Sequence, residues 1–392
     1  MGADAKPIFP GATLGVLGGG QLGRMLAIAA KRMGYRVHVF ESDRDCPAGQ
    51  VCDQQEVAEY GDLEAVRRFA SRVSVVTFEF ENIPLASARA AQELCPVRPS
   101  GDVLHVCQNR EREKRFLEGG GFPCAPFRVV DSRASLESAC RELGLPAVLK
   151  TADFGYDGKG QQKLEAGCDV GQVWEAFGVS RAVLEAWIPF EAELSVVVAR
   201  GLDGRTRAFP PSENIHRHHI LDLSIVPARL APELLAQAEE LATAIAHALD
   251  VVGLLAVEMF LDASGRLLVN ELAPRPHNSG HYSFDACVTS QFEQQVRAVC
   301  GLPLGSPRLL SPVVMRNLLG ESWAQGEPDW ARLLEDPDAK LHLYGKKSPR
   351  PGRKMGHVCF LKPLHEALAA ADSLDEQLGA STRRLMRAQR QA

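Results

Sequence analysis

The sequence predicts an α/β protein that begins with a doubly wound parallel sheet. Two apolar runs, at 13–17 and 37–40, flank a glycine-rich stretch and a segment whose apolar residues recur at helical spacing. That order is a strand–helix–strand unit, in which the two strands run parallel. Further apolar runs at 73–77 and near Val97 supply a third and a fourth strand. We therefore expect residues 1–107 to form one small doubly wound domain.

Length and composition narrow the functional class. The chain has 392 residues, of which 45% are hydrophobic and 24% charged, and its formal net charge is −5. Such a chain is long enough for two or three globular domains, and it lacks the basic field of a nucleic-acid binder. The sequence shows neither an apolar run of membrane-spanning length nor a secretory signal. Its ten cysteines contain no CxxC pair, so we expect free thiols and a cytoplasmic protein.

The glycine-rich stretch 18–23 has the GxGxxG spacing of a phosphate-binding turn. Glycines let the backbone approach a phosphate at a helix N-terminus, where free N–H groups favour an anion. One interpretation is an NAD site in which Glu41 or Asp43 contacts the ribose. A second is a smaller phosphorylated ligand held by Gln21 and Leu22. A third is that the glycines serve only close helix–strand packing.

The third predicted strand ends at two acids, Glu79 and Glu81. Ligands of open parallel sheets bind beyond the carboxyl ends of the strands. Both side chains are therefore candidates for hydrogen bonds from sugar hydroxyls. The alternative is a pair of solvated loop acids.

A second glycine-rich segment follows a short strand that ends at Lys150. Its residues are Gly155, Tyr156, Asp157, Gly158, Lys159, Gly160 and Gln161. The spacing is not that of a Walker A loop, and the next element is a strand at 162–164 rather than a helix. We predict a hairpin lid whose backbone N–H groups cover a triphosphate, with a plain tight turn as the alternative. Arg110, on a charged helix at 109–117, is a candidate for the same phosphates or else an exposed helix charge.

The apolar strand at 182–189 is predicted to present its backbone to a purine edge. Trp187 and Ile188 would line the apolar slot beside it. Glu193, at the start of the following strand, is a candidate for ribose hydroxyls.

Two groups of histidines invite a zinc hypothesis, and the sequence argues against both. His216, His218 and His219 lie in segment 212–223, predicted as a loop, without cysteine or a second ligand group at helical spacing. We prefer one of the three near a phosphate, with the others solvated. His277 and His281 are four residues apart, but the prolines around them make a helix there implausible.

Two apolar runs around the turn 262–265 predict a β-hairpin, and each carries one glutamate where an apolar residue is expected. With that four-residue loop, Glu258 faces Val269, and Glu271 is its diagonal neighbour at roughly 7 Å between backbones. Two carboxylates so close repel unless a cation lies between them, which favours magnesium arriving with substrate phosphates. The alternative is that both glutamates face solvent. A loop one residue longer would break the shared face.

The C-terminal part is predicted to contain three strands, at 312–319, 339–344 and 356–361. Between the last two lies a cationic cluster, consisting of Lys346, Lys347, Arg350, Arg353 and Lys354. On an acidic protein, such a cluster suits a phosphomonoester. The alternative is an exposed basic hairpin.

Taken together, these motifs resemble a known superfamily. The similarity to ATP-grasp enzymes is carried by Lys150, the stretches 155–161 and 185–188, Glu193, Glu258 and Asn270-Glu271. Four further stretches narrow it to the N5-carboxyaminoimidazole ribonucleotide synthetase family of purine biosynthesis, namely 18–25, 77–82, 270–281 and 350–357. The resemblance spans about residues 12–365.

The resemblance implies an ATP-grasp fold in three parts. The first is the N-terminal doubly wound domain at 1–107. The second is an ATP-grasp domain of two lobes at 108–300, with a glycine-loop lid at about 151–190. The third is a small β-rich C-terminal domain at 301–392, whose arginine-rich tail we expect to be mobile.

The resemblance also implies the ligands of each site residue. ATP would be held by Arg110, Lys150, residues 155–161, Glu185, Ala186, Trp187, Ile188, Glu193, His216, Asn270 and Glu271. Magnesium, with manganese as an alternative ion, would bind Glu258 and Glu271. The ribonucleotide would be held by Gln21, Leu22, Glu79, Asn278, Ser279, Lys346, Arg353 and Lys354. Arg275, His277 and Lys346 would be catalytic, with Ser279 also near the bicarbonate-derived group. Ala273 stands where some ATP-grasp enzymes have an asparagine ligand, so a third metal ligand is left unassigned.

The implied activity is the ATP- and bicarbonate-dependent carboxylation of 5-aminoimidazole ribonucleotide by a homodimer that binds neither nucleic acid nor membrane. A sister interpretation keeps the fold and uses formate to act on glycinamide ribonucleotide; Asn278 argues mildly against it. An NAD-dependent oxidoreductase would leave 150–161 and 258–281 without a role. A non-catalytic nucleotide-binding module would bind ATP without turnover.

Overall fold

A computed structural model describes residues 6–153 and 160–378 of the chain. Within these ranges the strands form three sheets. The predicted nucleotide-loop residues Gly155, Tyr156, Asp157, Gly158 and Lys159 lie outside the described residues, as does the arginine-rich tail.

The N-terminal sheet is parallel, as the strand–helix–strand pattern predicts. Its region comprises β1 Thr13–Leu17, α1 Gln21–Arg32, β2 Arg36–Phe40, β3 Gln54–Glu56, α2 Leu63–Ala70, β4 Val75–Phe78, α3 Leu85–Gln92 and α4 Gly101–Cys107. The strands lie in the order β3-β2-β1-β4. The prediction of a fourth strand near Val97 is wrong, because Val97 makes an isolated bridge to Val76. The fourth strand is instead β3, whose polar sequence QQE carries no apolar signal.

The second sheet is an antiparallel lobe that forms one wall of the cleft. This part comprises α5 Arg110–Gly119, β5 Phe127–Val130, α6 Arg133–Leu143, β6 Ala147–Thr151, β7 Gln161–Leu164, α7 Val170–Phe177 and β8 Ala182–Ala186. The strand order is β5-β8-β6-β7. Lys150 on β6 faces Gln161 on β7. The predicted hairpin that flanks the glycine loop is thereby confirmed.

The third sheet is the largest and carries the predicted metal hairpin. Its first half comprises β9 Phe190–Arg200, β10 Thr206–Ala208, β11 Ser212–Arg217, β12 Ile220–Val226, α8 Pro232–Ala248, β13 Gly253–Asp262 and β14 Leu267–Ala273. The predicted loop at 212–223 is wrong, because β11 and β12 form an antiparallel hairpin. Its tip is formed by His218 and His219 in the left-handed region, with φ of 50° and 63°. Two non-glycine residues in that conformation give no glycine signal in the sequence.

The C-terminal strands join this same sheet. The remaining elements are α9 Ser283–Ala286, α10 Gln291–Val299, β15 Val313–Leu319, α11 Trp330–Leu333, β16 Ala339–Leu343, β17 Lys354–Phe360 and α12 Leu364–Gln377. All three predicted strands are confirmed, and β15 pairs with β12. The sheet therefore runs β14-β13-β9-β11-β12-β15-β17-β16. This order puts the two glutamates of the metal hairpin and Lys354 of the cationic cluster on one continuous surface.

Helix α10 fixes the N-terminal sheet against the large sheet. Its residues Phe292, Val296 and Val299 share a buried apolar cluster with Leu26 and Ala27 of α1. Burial of apolar side chains is the main favourable contribution to such packing. The carboxyl ends of β1 and β4 are therefore held at a defined position beside the cleft.

The sequence also made predictions about membrane spans and cysteines. No helix in the described ranges is long and apolar enough to cross a membrane. The cysteines are all free, as predicted.

Candidate active site

A cleft of about 1910 Å³ lies between the three sheets. Most predicted site residues line it: Gln21, Leu22, Glu79, Arg110, Lys150, Gln161, Glu185, Ala186, Trp187, Ile188, Glu193, His216, Glu258, Asn270, Glu271, Arg275, His277, Asn278, Lys346, Arg353 and Lys354. Gly160 does not line it, and Ser279 is fully buried. Residues predicted separately for phosphate, base, metal and ribonucleotide thus face one space.

The metal hairpin differs from its prediction in two ways that cancel. Leu261 pairs with Leu267, so the predicted loop 262–265 is too short by one residue. A β-bulge then adds one residue to the second strand and returns the two glutamates to the same face of the hairpin. Glu258 pairs directly with Glu271. Directly opposed residues lie closer than the predicted diagonal pair. The shared face is confirmed, and the alternative with both glutamates in open solvent is wrong, because both line the cleft.

Helix α5 holds this bulge from behind. The Lys114 ammonium donates to the carbonyl oxygens of Val269 and Asn270 at 3.4 and 3.0 Å. Oε2 of Glu113 accepts the N–H of Leu272 at 2.9 Å. A bulge leaves backbone groups without ladder partners, and buried groups of that kind need other ones. Lys114 and Glu113 supply them, and so stabilise the register that brings the two metal-hairpin glutamates face to face.

The facing carboxylates have different neighbours. Oε1 of Glu258 is 3.1 Å from Nε2 of His277, and Oε2 of Glu271 is 3.7 Å from Nη1 of Arg110. Burial opposes ionisation of Glu258, but the hydrogen bond from His277 offsets it and the pKa of Glu258 is lowered. Burial and the facing Glu258 raise the pKa of Glu271, although Arg110 acts to lower it. One acid of the pair therefore resists ionisation until further positive charge arrives.

This donor set fits a magnesium ion that shares its coordination with phosphate. Magnesium prefers oxygen ligands and is commonly held by one or two carboxylates together with substrate phosphates. In the described ranges, no three or more His, Cys, Asp or Glu side chains are grouped as a metal site. A pair of glutamates suits an ion completed by phosphate better than an all-protein cage, and the rejected zinc sites gain no support.

The nucleotide end of the cleft centres on a buried acid, Glu185. Its Oε2 is 3.0 Å from the Lys150 ammonium and 3.5 Å from that of Lys114. Burial acts to raise the pKa of Glu185, but the charges of Lys114, Lys150 and Arg110 lower it to about 2. Burial lowers the pKa of Lys150. Glu185 thus keeps Lys150 on the cleft floor, where a phosphate would exchange with it.

Aromatic side chains surround the predicted purine slot. Trp187 is 40% exposed, and the Lys163 ammonium lies 4.1 Å from its ring centre. Phe190 stacks on Phe260, with ring centres 4.6 Å apart. Exposed aromatic faces suit a planar base.

Glu193 and His216, from neighbouring strands, contact each other beside the slot. Burial acts to lower the pKa of His216, but Glu193 raises it overall. A histidine held towards its charged form is suited to a phosphate, as the sequence predicts.

The glycine turn is already occupied by the protein's own carboxylates. Oε2 of Glu41 accepts the N–H of Gly19 at 2.9 Å. The two carboxylate oxygens of Glu79 accept the N–H groups of Gly20 and Gly23 at 2.8 and 3.0 Å. A cofactor pyrophosphate would need these same donors. The NAD interpretation is therefore not supported. Gln21 and Leu22, the first residues of α1, line the cleft and suit a smaller phosphate.

The segment after β14 is held on both sides. Arg275 forms a two-pronged ion pair with Glu81, in which Nη2 lies 2.9 Å from Oε1. The side-chain amide of Gln291 accepts the N–H of His277 at 2.9 Å and donates to its carbonyl at 2.8 Å. Glu81 therefore positions the arginine rather than serving as a solvated loop acid. His277 is fixed at its backbone while its ring reaches the cleft.

The cationic end of the cleft combines β17 with the connection before it. Asn278 and Asn317 exchange side-chain amide hydrogen bonds of 3.0 and 2.8 Å, so much of the Asn278 amide is engaged inside the protein. The Lys346 ammonium donates to the carbonyl of Lys354 at 2.7 Å. Lys347 pairs with Asp45 of the N-terminal domain, outside the cleft lining.

Comparisons with known proteins agree with this geometry. Residues 11–108 match the family described as ribonucleotide synthetase preATP-grasp domain, 115–292 the ATP-grasp domain, and 313–371 the phosphoribosylaminoimidazole carboxylase C-terminal domain. The N5-carboxyaminoimidazole ribonucleotide synthase of Bacillus subtilis is 47% identical over 91% of this chain and 93% of its own length. The chain belongs to the N5-carboxyaminoimidazole ribonucleotide synthase family.

Solved structures of this family share the fold. A crystal structure of an N5-carboxyaminoimidazole ribonucleotide synthetase in complex with ADP is 46% identical, with a TM-score of 0.89 over 95% of this chain and 99% of that one. The Aspergillus clavatus enzyme, in complex with ADP and 5-aminoimidazole ribonucleotide, is 31% identical, with a TM-score of 0.86 over 94% and 98%. The predicted ATP-grasp fold, with its N-terminal and C-terminal domains, is confirmed.

Sequence reasoning missed several residues that support this family's cleft. In the sequence, Lys114 is one of many charged residues on a polar helix, but in the structure it is fully buried. Gln291 and Asn317, which hold the segment after β14, lie in stretches to which no role was assigned. The one available signal was position, because a lysine on the helical face that also carries Leu117 points inward.

Proposed function

We propose that this chain carboxylates 5-aminoimidazole ribonucleotide to N5-carboxyaminoimidazole ribonucleotide, with cleavage of ATP to ADP and phosphate. It is then an ATP-dependent carbon–nitrogen ligase of purine biosynthesis. The observation that carries the proposal is the direct pairing of Glu258 with Glu271 in a cleft that also contains Lys150 and Arg275. That arrangement suits a triphosphate meeting a small anion, and the match to the family narrows the acceptor.

The chemistry explains why a nucleotide is needed. Bicarbonate is a poor electrophile, because its carbon bears an anionic oxygen. Transfer of the γ-phosphoryl group of ATP to bicarbonate gives carboxyphosphate, which has a good leaving group. The amino group of the ribonucleotide then attacks carboxyphosphate, or the CO2 it releases, and phosphate leaves. Such reactions depend mainly on positioning and charge neutralisation.

The protein's charges are arranged for those steps. Lys150 and Arg110 would neutralise the triphosphate; of the glycine-rich segment predicted to cover it, only Gly160 and Gln161 are among the described residues. Arg275 would hold the carboxyphosphate anion, steadied by its ion pair with Glu81. The His277 ring, whose Nε2 lies 3.1 Å from Oε1 of Glu258, would contact the same group.

Glu258 and Glu271 would hold magnesium. When bound, the ion would neutralise phosphate charge as it develops. A cation between the two facing carboxylates would relieve their repulsion.

The ribonucleotide would bind at the opposite end. The N–H groups of Gln21 and Leu22 at the start of α1 suit its phosphate. Lys346, Arg353 and Lys354 bring positive charge to the same end of the cleft. Glu79 would accept from ribose hydroxyls with its remaining lone pairs. Domain limits at 107 and 300, a homodimer and a cytoplasmic location complete the proposal.

The test is phosphate release from ATP with 5-aminoimidazole ribonucleotide, with and without bicarbonate. We expect phosphate release that requires both the ribonucleotide and bicarbonate. Release that requires formate and glycinamide ribonucleotide would select the sister activity. ATP binding without turnover under either condition would overturn the ligase proposal.

A further inference from the structure

A chain of buried polar groups runs along the cleft-facing side of the large sheet to His277. Its members are Asn214 on β11, Ser195 on β9 and Ser279 after β14. We propose that this chain fixes which ring nitrogen of His277 carries the hydrogen, so that Nε2 presents an N–H to the cleft. Asn214 and Ser195 are then positioning residues that act through the histidine. The proposal deepens the role of His277 and rests on the proposed function only for its effect on turnover.

The first step concerns Nδ1 of His277. The backbone N–H of Ser279 points to it at 3.4 Å, and a backbone amide can only donate. This long contact favours a lone pair on Nδ1, and the shorter contact to the Ser279 hydroxyl, at 2.8 Å, decides its direction. When Ser195 donates to Ser279, the Ser279 hydroxyl donates its hydrogen to Nδ1. In a neutral imidazole the hydrogen is left on Nε2.

The second step follows the hydroxyl back into the sheet. Because Ser279 donates its one hydroxyl hydrogen to His277, its oxygen can only accept from Ser195, whose Oγ lies 2.6 Å away. Ser195 in turn spends its hydrogen on Ser279. It is therefore free to accept from a donor behind it.

That donor is the side-chain amide of Asn214. Its Nδ2 donates to Ser195 Oγ at 2.8 Å. Its Oδ1 accepts from Ser212 and Ser224 at 3.2 and 3.1 Å, and in this orientation the amide presents its donor to Ser195. An amide turned the other way would bring an acceptor to Ser195 and reverse every hydrogen bond of the chain.

Burial makes this order durable. Ser195, Ser212, Asn214, Ser224 and Ser279 are between 0% and 5% exposed. Water therefore competes little for their hydrogen bonds, and fully satisfied networks of this kind are strong in a low-dielectric interior. The Ser212 hydroxyl lies 3.2 Å from Oδ1 of Asn214 and 2.9 Å from Oγ of Ser195; with its hydrogen on either acceptor, the path from Asn214 ends on a bare Nδ1.

The consequence lies at the other side of the ring. Nε2 is 3.1 Å from Oε1 of Glu258, so its hydrogen points at the carboxylate and into the cleft. A histidine fixed in this form is a hydrogen-bond donor on that side and cannot accept a proton there. This one hydrogen holds Glu258 here, and it would turn to an anionic oxygen of the bicarbonate-derived group when Glu258 binds a cation. A reversed tautomer would set a lone pair against Glu258 and repel the same anion.

The experiment reads the tautomer directly, by 15N NMR of histidine-labelled full-length protein without substrates. His277 is assigned by the signal lost in His277→Gln. We expect a pyrrole-type Nε2 and a pyridine-type Nδ1. Asn214→Asp places an acceptor where the amide donates, so we expect the two signal types to exchange. Ser224→Ala removes a hydroxyl from the cluster but not from the path, and should keep the wild-type tautomer.

Two results would overturn the proposal. One is a wild-type His277 whose Nε2 is pyridine-type. The other is a folded Asn214→Asp protein with an unchanged tautomer. If Asn214→Asp does not fold, Ser195→Ala serves instead, since it interrupts the chain without adding charge. It should give a mixture of tautomers, and Ser195→Thr, which keeps the hydroxyl, should restore one.

Turnover supplies a second readout. Loss of a group that orients a functional histidine typically costs roughly 10- to 100-fold in activity. We expect Ser195→Ala to lose that factor in kcat with little change in the KM for ATP, and Ser195→Thr to recover it. An equal loss in both Ser195 variants would indicate a packing role instead. If wild-type protein shows the expected tautomer but no bicarbonate-dependent turnover, the proposed function fails and the tautomer assignment stands.

Discussion

The cleft contains two pairs of acids that the fold treats in opposite ways. At the glycine turn, Glu41 and Glu79 accept backbone N–H groups, so their charge is already satisfied inside the protein. On the large sheet, Glu258 and Glu271 face each other; Glu258 contacts His277, and Glu271 lies 3.7 Å from Arg110. An acid that accepts backbone N–H groups has its charge satisfied by the protein, whereas two facing carboxylates repel unless a cation lies between them. The difference therefore separates acids that could hold a cation from acids that do not, and it does so better than position at a strand end.

The largest effect should come from the unsatisfied pair. Glu271→Ala removes one of the two proposed magnesium ligands, and metal stabilisation of phosphoryl transfer is worth several kcal/mol. At tenfold per 1.36 kcal/mol, we expect bicarbonate-dependent ATP cleavage to fall by about 10³-fold, with the fold intact by circular dichroism. Glu240→Gln, an exposed acid on α8, is the control. Wild-type rates in Glu271→Ala would break the metal assignment.

The second-largest effect should come from Lys114, which supports the bulge that brings Glu258 and Glu271 face to face. Lys114→Met leaves the bulge carbonyls without a donor and removes one of the two ammonium groups beside Glu185. Breaking a buried ion pair on one side costs about 3 kcal/mol. We expect that loss in the free energy of unfolding, measured in urea.

The neighbouring Arg115→Met is the matched control for this change. Arg115 is 61% exposed and pairs with Glu111 at the surface, so its loss should change stability by about 0.5 kcal/mol or less. Equal effects of the two substitutions would show that the support from Lys114 does not matter.

Glu113 is an intermediate case, because one of its oxygens accepts from Leu272 and the other is buried without a partner. Burial raises the pKa of Glu113 from 4.5 to about 8. The folded chain therefore holds this proton more tightly than the unfolded chain. Its contribution to stability is complete below pH 4.5 and is lost as the pH rises through about 8.

Glu113→Gln keeps the acceptor and removes the titration. Relative to this variant, wild-type protein should lose on the order of 2 kcal/mol of unfolding free energy between pH 5.5 and 8. Urea denaturation at both pH values measures the change, with Glu240→Gln expected to follow wild type. A difference that does not vary with pH would contradict the shift.

The smallest effect should come from the satisfied pair. Glu79→Gln keeps one acceptor oxygen for the two N–H groups of Gly20 and Gly23, so we expect a loss of about 1 kcal/mol in unfolding free energy. The exposed Glu59→Gln should change little. NADH fluorescence should not change on addition of either wild-type protein or Glu79→Gln. Saturable enhancement in wild type would reopen the dinucleotide interpretation.

Much of the fold was predictable because apolar periodicity is local. The strands around Lys150, the metal hairpin and all three C-terminal strands follow from it. The polar strand β3 and the β11–β12 hairpin were not, because neither carries the apolar or glycine signals that mark strands and turns. The sequence also shows the C-terminal strands without showing that β15 pairs with β12.

The site was predictable in its members more than in its contacts. Glu258 and Glu271 stand out because they interrupt apolar runs. The bulge that pairs them depends on Lys114, which is more than 140 residues away in sequence and gives no local signal. Likewise, nothing in the spacing of Ser195, Asn214 and Ser279 indicates that they form one hydrogen-bonded chain. The spacing of the glycine turn also does not show that its N–H groups are already occupied, because Glu41 and Glu79, which accept them, follow other strands.

The continuity of the large sheet has a consequence for how the chain can be divided. A protein cut after residue 300 would keep the hairpin of Glu258 and Glu271 but lose β15, the strand that pairs with β12. The backbone of β12 would become a free edge, and the apolar cluster around Ile225 and Val314 would open to water. Exposed edges of that kind recruit other chains. The ATP-grasp region is therefore expected to aggregate when expressed alone, and insertions or fusions are better placed at surface turns such as that around Gly326 than at the junction before β15.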